Sequence, residues 1–395
     1  FLLHFIIQTP KKMKKNLLYL LVLFLSCASF SQKKSSWTSV EKPEFESLEK
    51  IRRLSLPTDY KLFQFDYQTF QSQLTNVPNR ENFSGTSNVI VSIPNPSGEM
   101  VSYRIIEAST FEKSLQAQFP EIRSFAGNAV NDASTVIRFS ISPYNGLSAI
   151  IRTASGETTY IIDPITMDNK TFIVFDRSKS KKADGSFTCT TEEDITTFGP
   201  DLNKGTVNQM LNNANDGKLR KFQMAQSCTA EYSNFFGATS AAQVNLVLAA
   251  FNNTYTRCNA IFEMDFNCTM ELIANTTSVI YYNPATDPYS DIANIGNWNA
   301  QLGATLQTVI GNDNYDIGHV FGHAGGGGNA GCIGCVCSAD NSKGTAYTSP
   351  SDGNPQGEPA ELIGDREYLI DSDKGFSRHY AKKQWYSSPM ETTSE

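Results

Sequence analysis

Histidine is scarce in this chain. Four occur in 395 residues, His4, His319, His323 and His379, and no HExxH is present anywhere. That motif sets two imidazoles one helical turn apart, with a glutamate beside the metal-bound water. A catalytic zinc needs three convergent protein ligands and one open position, so the sequence as written lacks the usual helical means of building such a site. His319-Val-Phe-Gly-His323 reproduces the spacing alone. Val320 stands at the base position, and Gly322 with the glycines after it argues against a helix. On a strand, residues four apart share a face but stand roughly 13 Å from one another. Both histidines therefore read as ordinary strand and loop positions.

Basic charge is also in short supply. Acidic residues outnumber Lys and Arg by 40 to 33, a net charge of −7, which leaves no electrostatic footprint for nucleic acid. The one sustained apolar run, Leu17 to Leu25, is too short to span a membrane, and no later segment is apolar enough to do so. Cys-x-x-Cys occurs once, at Cys332 and Cys335 with Cys337 close behind. A metal knuckle or redox pair there is weakly signalled without a second such pair. Aromatic residues at 11% exclude a disordered chain.

Lys14 and Lys15, the apolar run and the small residues Ser26 to Ser31 form the three regions of a secretory signal peptide, residues 13–31. Residues 1–12 read as translated upstream sequence, with Met13 as the start. Cys27 after Leu25-Ser26 gives a weak lipoprotein-like signal, set against a plain cysteine of the apolar region. The seven later cysteines then enter an oxidising compartment, where disulfides are the default. Seven is odd, so one stays reduced or pairs outside the chain.

Residues 43–177 are β-rich. Runs at 88–93, 135–141, 147–152 and 158–163 alternate with turn clusters, which predicts antiparallel sheet, and a helix is expected near 110–118. Residues 178–218 are polar and charged and read as an exposed linker. From Leu219 the pattern becomes α/β. Val244, Val247, Leu248, Phe251 and Tyr255 predict a helix. Strands are expected at 260–266, 270–274 and 315–321, with a second helix over 298–310.

The block NYDIGHVFGHAGGGGNAGCIGCVC (Asn314 to Cys337), followed by KGTAYTSPSDGNPQG, resembles the reprolysin-like secreted zinc metallopeptidases of the metzincin clan, in the form found in Bacteroidetes-type bacteria. The resemblance covers 219–357 closely and the propeptide-like region more loosely. It implies an α+β chain: a β-rich propeptide domain, then an incomplete α/β metzincin upper subdomain, then a divergent tail over 358–395. It implies zinc as cofactor and a protein or peptide as substrate. It offers Gly344, Thr345, Ala346, Tyr347 and Thr348 as the edge strand lining the substrate cleft, set against an ordinary edge strand with no partner, and Cys189 as a cysteine that caps the zinc, set against a disulfide half or free thiol. The zinc helix expected after Gly357 does not appear, so the zinc ligands are absent. A shifted reading frame and a real truncation would each produce that ending. The function implied is peptide hydrolysis, inactive in the chain as written; the alternative is a non-enzymatic secreted pseudo-protease or peptide-binding module. A third reading is a small redox or metal-binding protein using Cys332, Cys335 and Cys337.

Export is tested by mass spectrometry of culture fractions. The protein should be found in the medium, cut near Ser31; recovery mainly from cytosol with Met13 attached would overturn the signal-peptide reading.

Overall fold

The period-two runs of the first half form one antiparallel sheet. The computed structural model describes residues 35–41, 45–51, 56–153, 158–180, 218–332 and 335–350. The chain parts into two compact units, Phe1–Ser36 and Trp37–Glu395, and every element below lies in the second. Its strands are β1 (Trp37–Ser39), β2 (Lys61–Phe65), β3 (Ile90–Pro94), β4 (Met100–Glu107), β5 (Arg123–Ala129), β6 (Val136–Ser142), β7 (Gly146–Arg152), β8 (Thr159–Pro164) and β9 (Thr171–Asp176). They lie in the order β1-β2-β9-β8-β7-β6-β5-β4-β3. Helix α1 (Tyr67–Gln73) starts at Asp66, whose carboxylate accepts from Thr69 N at 2.9 Å. Helix α2 (Lys113–Gln118) falls inside the expected 110–118.

Alternation along β5 to β8 sorts two kinds of residue onto two faces. Phe125, Ile137, Phe139 and Ile141 point into an apolar core with Phe70 of α1 and Phe172 of β9. Ser124, Arg138, Ser140 and Asp163 are buried too, but toward a second layer. Ser124 stands opposite Ser140, and Ser140 opposite Ser148, so the polar residues form a row across the strands. Buried polar groups need partners, and a helix from the second half supplies them.

That second half contains β10 (Arg220–Cys228), the short helix α3 (Ala230–Phe235), α4 (Val244–Phe266), β11 (Cys268–Leu272), α5 (Trp298–Val309), β12 (Ile317–Phe321), β13 (Gly327–Asn329) and β14 (Ala346–Ser349). The strands form a five-stranded sheet in the order β11-β10-β12-β14-β13, parallel except for β13. Mostly parallel sheets are covered on both faces. Here Val247, Leu248, Phe251 and Phe262 of α4 pack on Phe222, Met224 and Phe321. On the other face Trp298, Leu302 and Leu306 of α5 pack on Ala225, Val320 and Tyr347.

Two expectations are corrected. Residues 260–266 are not a strand; α4 runs unbroken for 23 residues to Phe266 and is closed by Asn267 in the left-handed region at φ 53°. The helix lies between two sheets, so Ala260 and Ile261 pack with the nine-stranded side while Phe262 and Phe266 pack with the other. Apolar residues on both sides of a helix imitate strand alternation. Second, Gly344 to Thr348 are not an edge strand. Gly344 ends a 3₁₀ turn, and β14 is paired on both sides, with β12 and with β13. The terminal strand at that end of the sheet is β13.

Helix α4 joins the halves through polar contacts. Asn252 Oδ1 accepts from Thr110 Oγ at 2.6 Å, Asn253 Oδ1 from Ser140 Oγ at 2.6 Å, and Thr256 Oγ donates to Ser124 Oγ at 2.9 Å. Arg257 pairs with Asp163 at 2.7 Å. Glu263 accepts from Arg80 at 2.9 Å and from Arg138, whose side chain is 1% exposed. Main-chain pairing adds to this: Leu272 N donates to Thr110 O at 2.7 Å and Glu112 N to Leu272 O at 2.9 Å, so residues 110–112 extend the sheet beyond β11.

Burial works to raise the pKa of Glu263, but Arg138 and Arg80 overcome it and hold the carboxyl below its ordinary value. A carboxylate depressed in the folded state contributes stability that is complete above its unfolded pKa and is lost as the pH falls through the folded one. Glu263→Ala strands Arg138 in a buried site and should cost about 3–5 kcal/mol. Thermal unfolding should show this at neutral pH, with the gap to the parent narrowing in acid. An unchanged melting temperature at neutral pH would show that the pair contributes nothing.

Candidate functional site

The three parallel strands β10, β12 and β14 each bring one polar side chain to a shared position. His319 of β12 lies between Gln226 of β10 and Thr348 of β14. Gln226 Nε2 donates to the His319 carbonyl at 3.1 Å and approaches His319 Nδ1 at 3.4 Å, while Gln226 Oε1 accepts from the Tyr255 hydroxyl of α4. With an amide donor facing Nδ1, we assign the ring proton to Nε2, which donates to Thr348 Oγ at 3.0 Å. Burial lowers the pKa of His319 to about 3, although part of the residue reaches the surface. The ring is thus a neutral cross-strand link with both nitrogens engaged.

His323 is held apart from it. Gly322 brings the chain out of β12 under α5: a Cβ there would lie 2.4 Å from Trp298 Cζ3 and 2.6 Å from Ser349 Oγ. Gly325, Gly326 and Gly327 follow with φ of 111°, 63° and 139°, a path closed to most side chains. The run therefore forms the turn between β12 and β13 rather than a helix. The His323 ring sits 5.5 Å from that of Phe235. No HExxH-like pairing of the two histidines on a helix exists.

Of the cleft residues expected from the sequence, Tyr347 is buried under Trp298 with ring centroids 5.7 Å apart, and Thr348 takes the His319 proton contact. Thr345 Oγ donates to Ser342 O at 2.6 Å, within the turn that leads into β14. Gly344 and Ala346 complete that turn and strand. These residues organise the sheet interior, and β13 takes the end position. Cys189 lies outside the described residues. Cys332 and Cys335 form a disulfide, which removes two of the three clustered cysteines from any metal-binding role. Cys337 N donates to Asp316 O at 3.0 Å, and its thiol lies 3.5 Å from Asp316 Oδ1. Asp316 Oδ2 accepts from Gln223 N at 2.7 Å, so this carboxylate clips β12 to β10. Burial pushes the thiols of Cys228 and Cys268 up to about 12, far from the thiolate a metal or an electrophile requires.

Among the described residues no group of three or more His, Cys, Asp and Glu side chains is placed to hold a metal ion. The Gln226–His319–Thr348 link, with Tyr255 behind it, has no sequence signature: its members are spread over more than a hundred residues and meet only through parallel pairing.

A neutral, buried histidine destabilises the fold in acid, because the unfolded chain takes up a proton near pH 6.5 that the folded ring accepts only near 3. Proton NMR of the imidazole should show no titration of His319 between neutral pH and 5. A midpoint near the ordinary value would place the ring in solvent and break the assigned link.

No curated protein matches the chain. Residues 219–358 match the family described as metallo-peptidase family M12B, reprolysin-like. The match begins at the residue before β10 and takes in the whole five-stranded sheet with α3, α4 and α5. No helix among the described residues is long and apolar enough to cross a membrane. The order β11-β10-β12-β14-β13 and the two helices on its faces thus make up the part of the chain that is similar to the reprolysin-like M12B metallopeptidases.

Proposed function

We propose that this chain is an exported protein built on the plan of a zinc metallopeptidase, and that as written it neither holds stoichiometric zinc nor hydrolyses peptides. The family's peptidases act on peptide bonds and depend on zinc, so a peptide is the natural ligand of the segment. The observation that carries the rest is the count of available ligands. The matched segment is described almost throughout, and its described residues bring no three metal-ligating side chains together. His319 has both nitrogens engaged, His323 lies in the glycine turn, and two cysteines are joined in a disulfide. These residues do not fit the ion.

Export is supported by the basic, apolar and small-residue regions of 13–31 and by the disulfide, which belongs to an oxidising compartment. The alternative reading, a peptide-binding protein without hydrolysis, uses the same sheet. An extended peptide adds to a sheet at a terminal strand by main-chain hydrogen bonds, and in this order the end nearest the expected cleft is β13, not β14.

Metal analysis of the purified protein, paired with a casein hydrolysis assay, tests the proposal. Substoichiometric zinc and no chelator-sensitive cleavage are expected. One tightly held zinc per chain with cleavage abolished by chelator would overturn the proposal.

A further inference from the structure

The two sheets share apolar cores as well as polar contacts. Phe111, Leu115 and Ile122 of the nine-stranded half are buried in the same cluster as Val247, Phe251 and Leu272. Ala260 and Ile261 of α4 are buried with Phe45, Ile150, Ile161 and Phe175. Between these two apolar zones lie the matched polar pairs: Asn252 with Thr110, Asn253 with Ser140, Thr256 with Ser124, and Arg257 with Asp163. The arrangement has the anatomy of a lasting protein–protein interface, with apolar area for affinity and polar pairs for register. The extension of β11 by residues 110–112 adds main-chain hydrogen bonds.

We propose that the nine-stranded half is a non-covalent partner of the reprolysin-like segment, seated on the outer face of α4 and the β11 end of the sheet, and that it stays bound there after the chain between Ser180 and Lys218 is cut. The seat is at the opposite end of the strand order from β13. Cutting the connection therefore does not discharge the partner, which stays seated behind α4 and away from the β13 end. This holds whether or not the chain hydrolyses peptides.

The test inserts the recognition sequence of a sequence-specific protease between Ser180 and Lys218 of the full chain. After complete digestion, size-exclusion chromatography with light scattering should return both fragments in one peak of summed mass at micromolar concentration, in low and high salt alike. Asn253→Arg places a guanidinium against Ser140 without touching the α4 face that packs on the five-stranded sheet. The cut variant should dissociate at a concentration at least about tenfold higher than the parent, while its uncut form keeps the parent's circular dichroism. Met264→Arg, at a residue 37% exposed, should leave association unchanged. Separate peaks for the parent fragments, or precipitation of either on cutting, would overturn the proposal. So would an Asn253→Arg pair as tight as the Met264→Arg pair.

Discussion

A helix caught between two sheets along most of its length must satisfy two buried faces, and the architecture of this chain follows from how α4 meets that constraint. One side is apolar and packs on the five-stranded sheet through Val247, Leu248, Phe251 and Phe262. The other carries Asn252, Asn253, Thr256, Arg257 and Glu263, which would be costly to bury against an apolar surface. The nine-stranded half answers with Ser124, Ser140, Asp163 and Arg138 on its strands and with Thr110 just after β4. Neither layer makes physical sense alone. The polar row on β5 to β8 would be an odd sheet face without α4, and α4 would be a poorly amphipathic helix without the row.

This mutual dependence explains where sequence reading succeeded. Strands β3, β6, β7 and β8 and helix α5 were legible because each shows a local period that survives burial. Helix α4 was legible only through Tyr255, where a single apolar face carries the signal. Beyond it Ala260 and Ile261 serve one sheet and Phe262 and Phe266 the other, and the pattern loses its helical period. The limit is physical: periodicity reports one buried face, and this helix has two.

The misplacement of the edge has a different cause. Gly344 to Thr348 are expected at the edge from the family resemblance, yet β13, which covers Tyr347 to Ser349, is only Gly327 to Asn329. Three residues, two of them glycine, carry no strand propensity. What holds them in the sheet is the pairing of Gly328 with Thr348 and Asn329 with Tyr347, a non-local fact. The His319 link was likewise out of reach, since Gln226, His319 and Thr348 converge through parallel pairing alone.

Fold and chemistry separate cleanly here. The five-stranded sheet, α4 and α5 are stabilised by their own apolar cores and by the nine-stranded half. Likeness of this framework to a peptidase family does not by itself assign a chemistry, which has to be argued from the site. Hydrolysis requires three ligands converging on one point. The framework's one well-placed imidazole, His319, is committed to tying β10 to β14 and is held neutral by burial. A residue with both nitrogens engaged between strands serves the sheet first; recruiting it to a metal would break the link that positions β14.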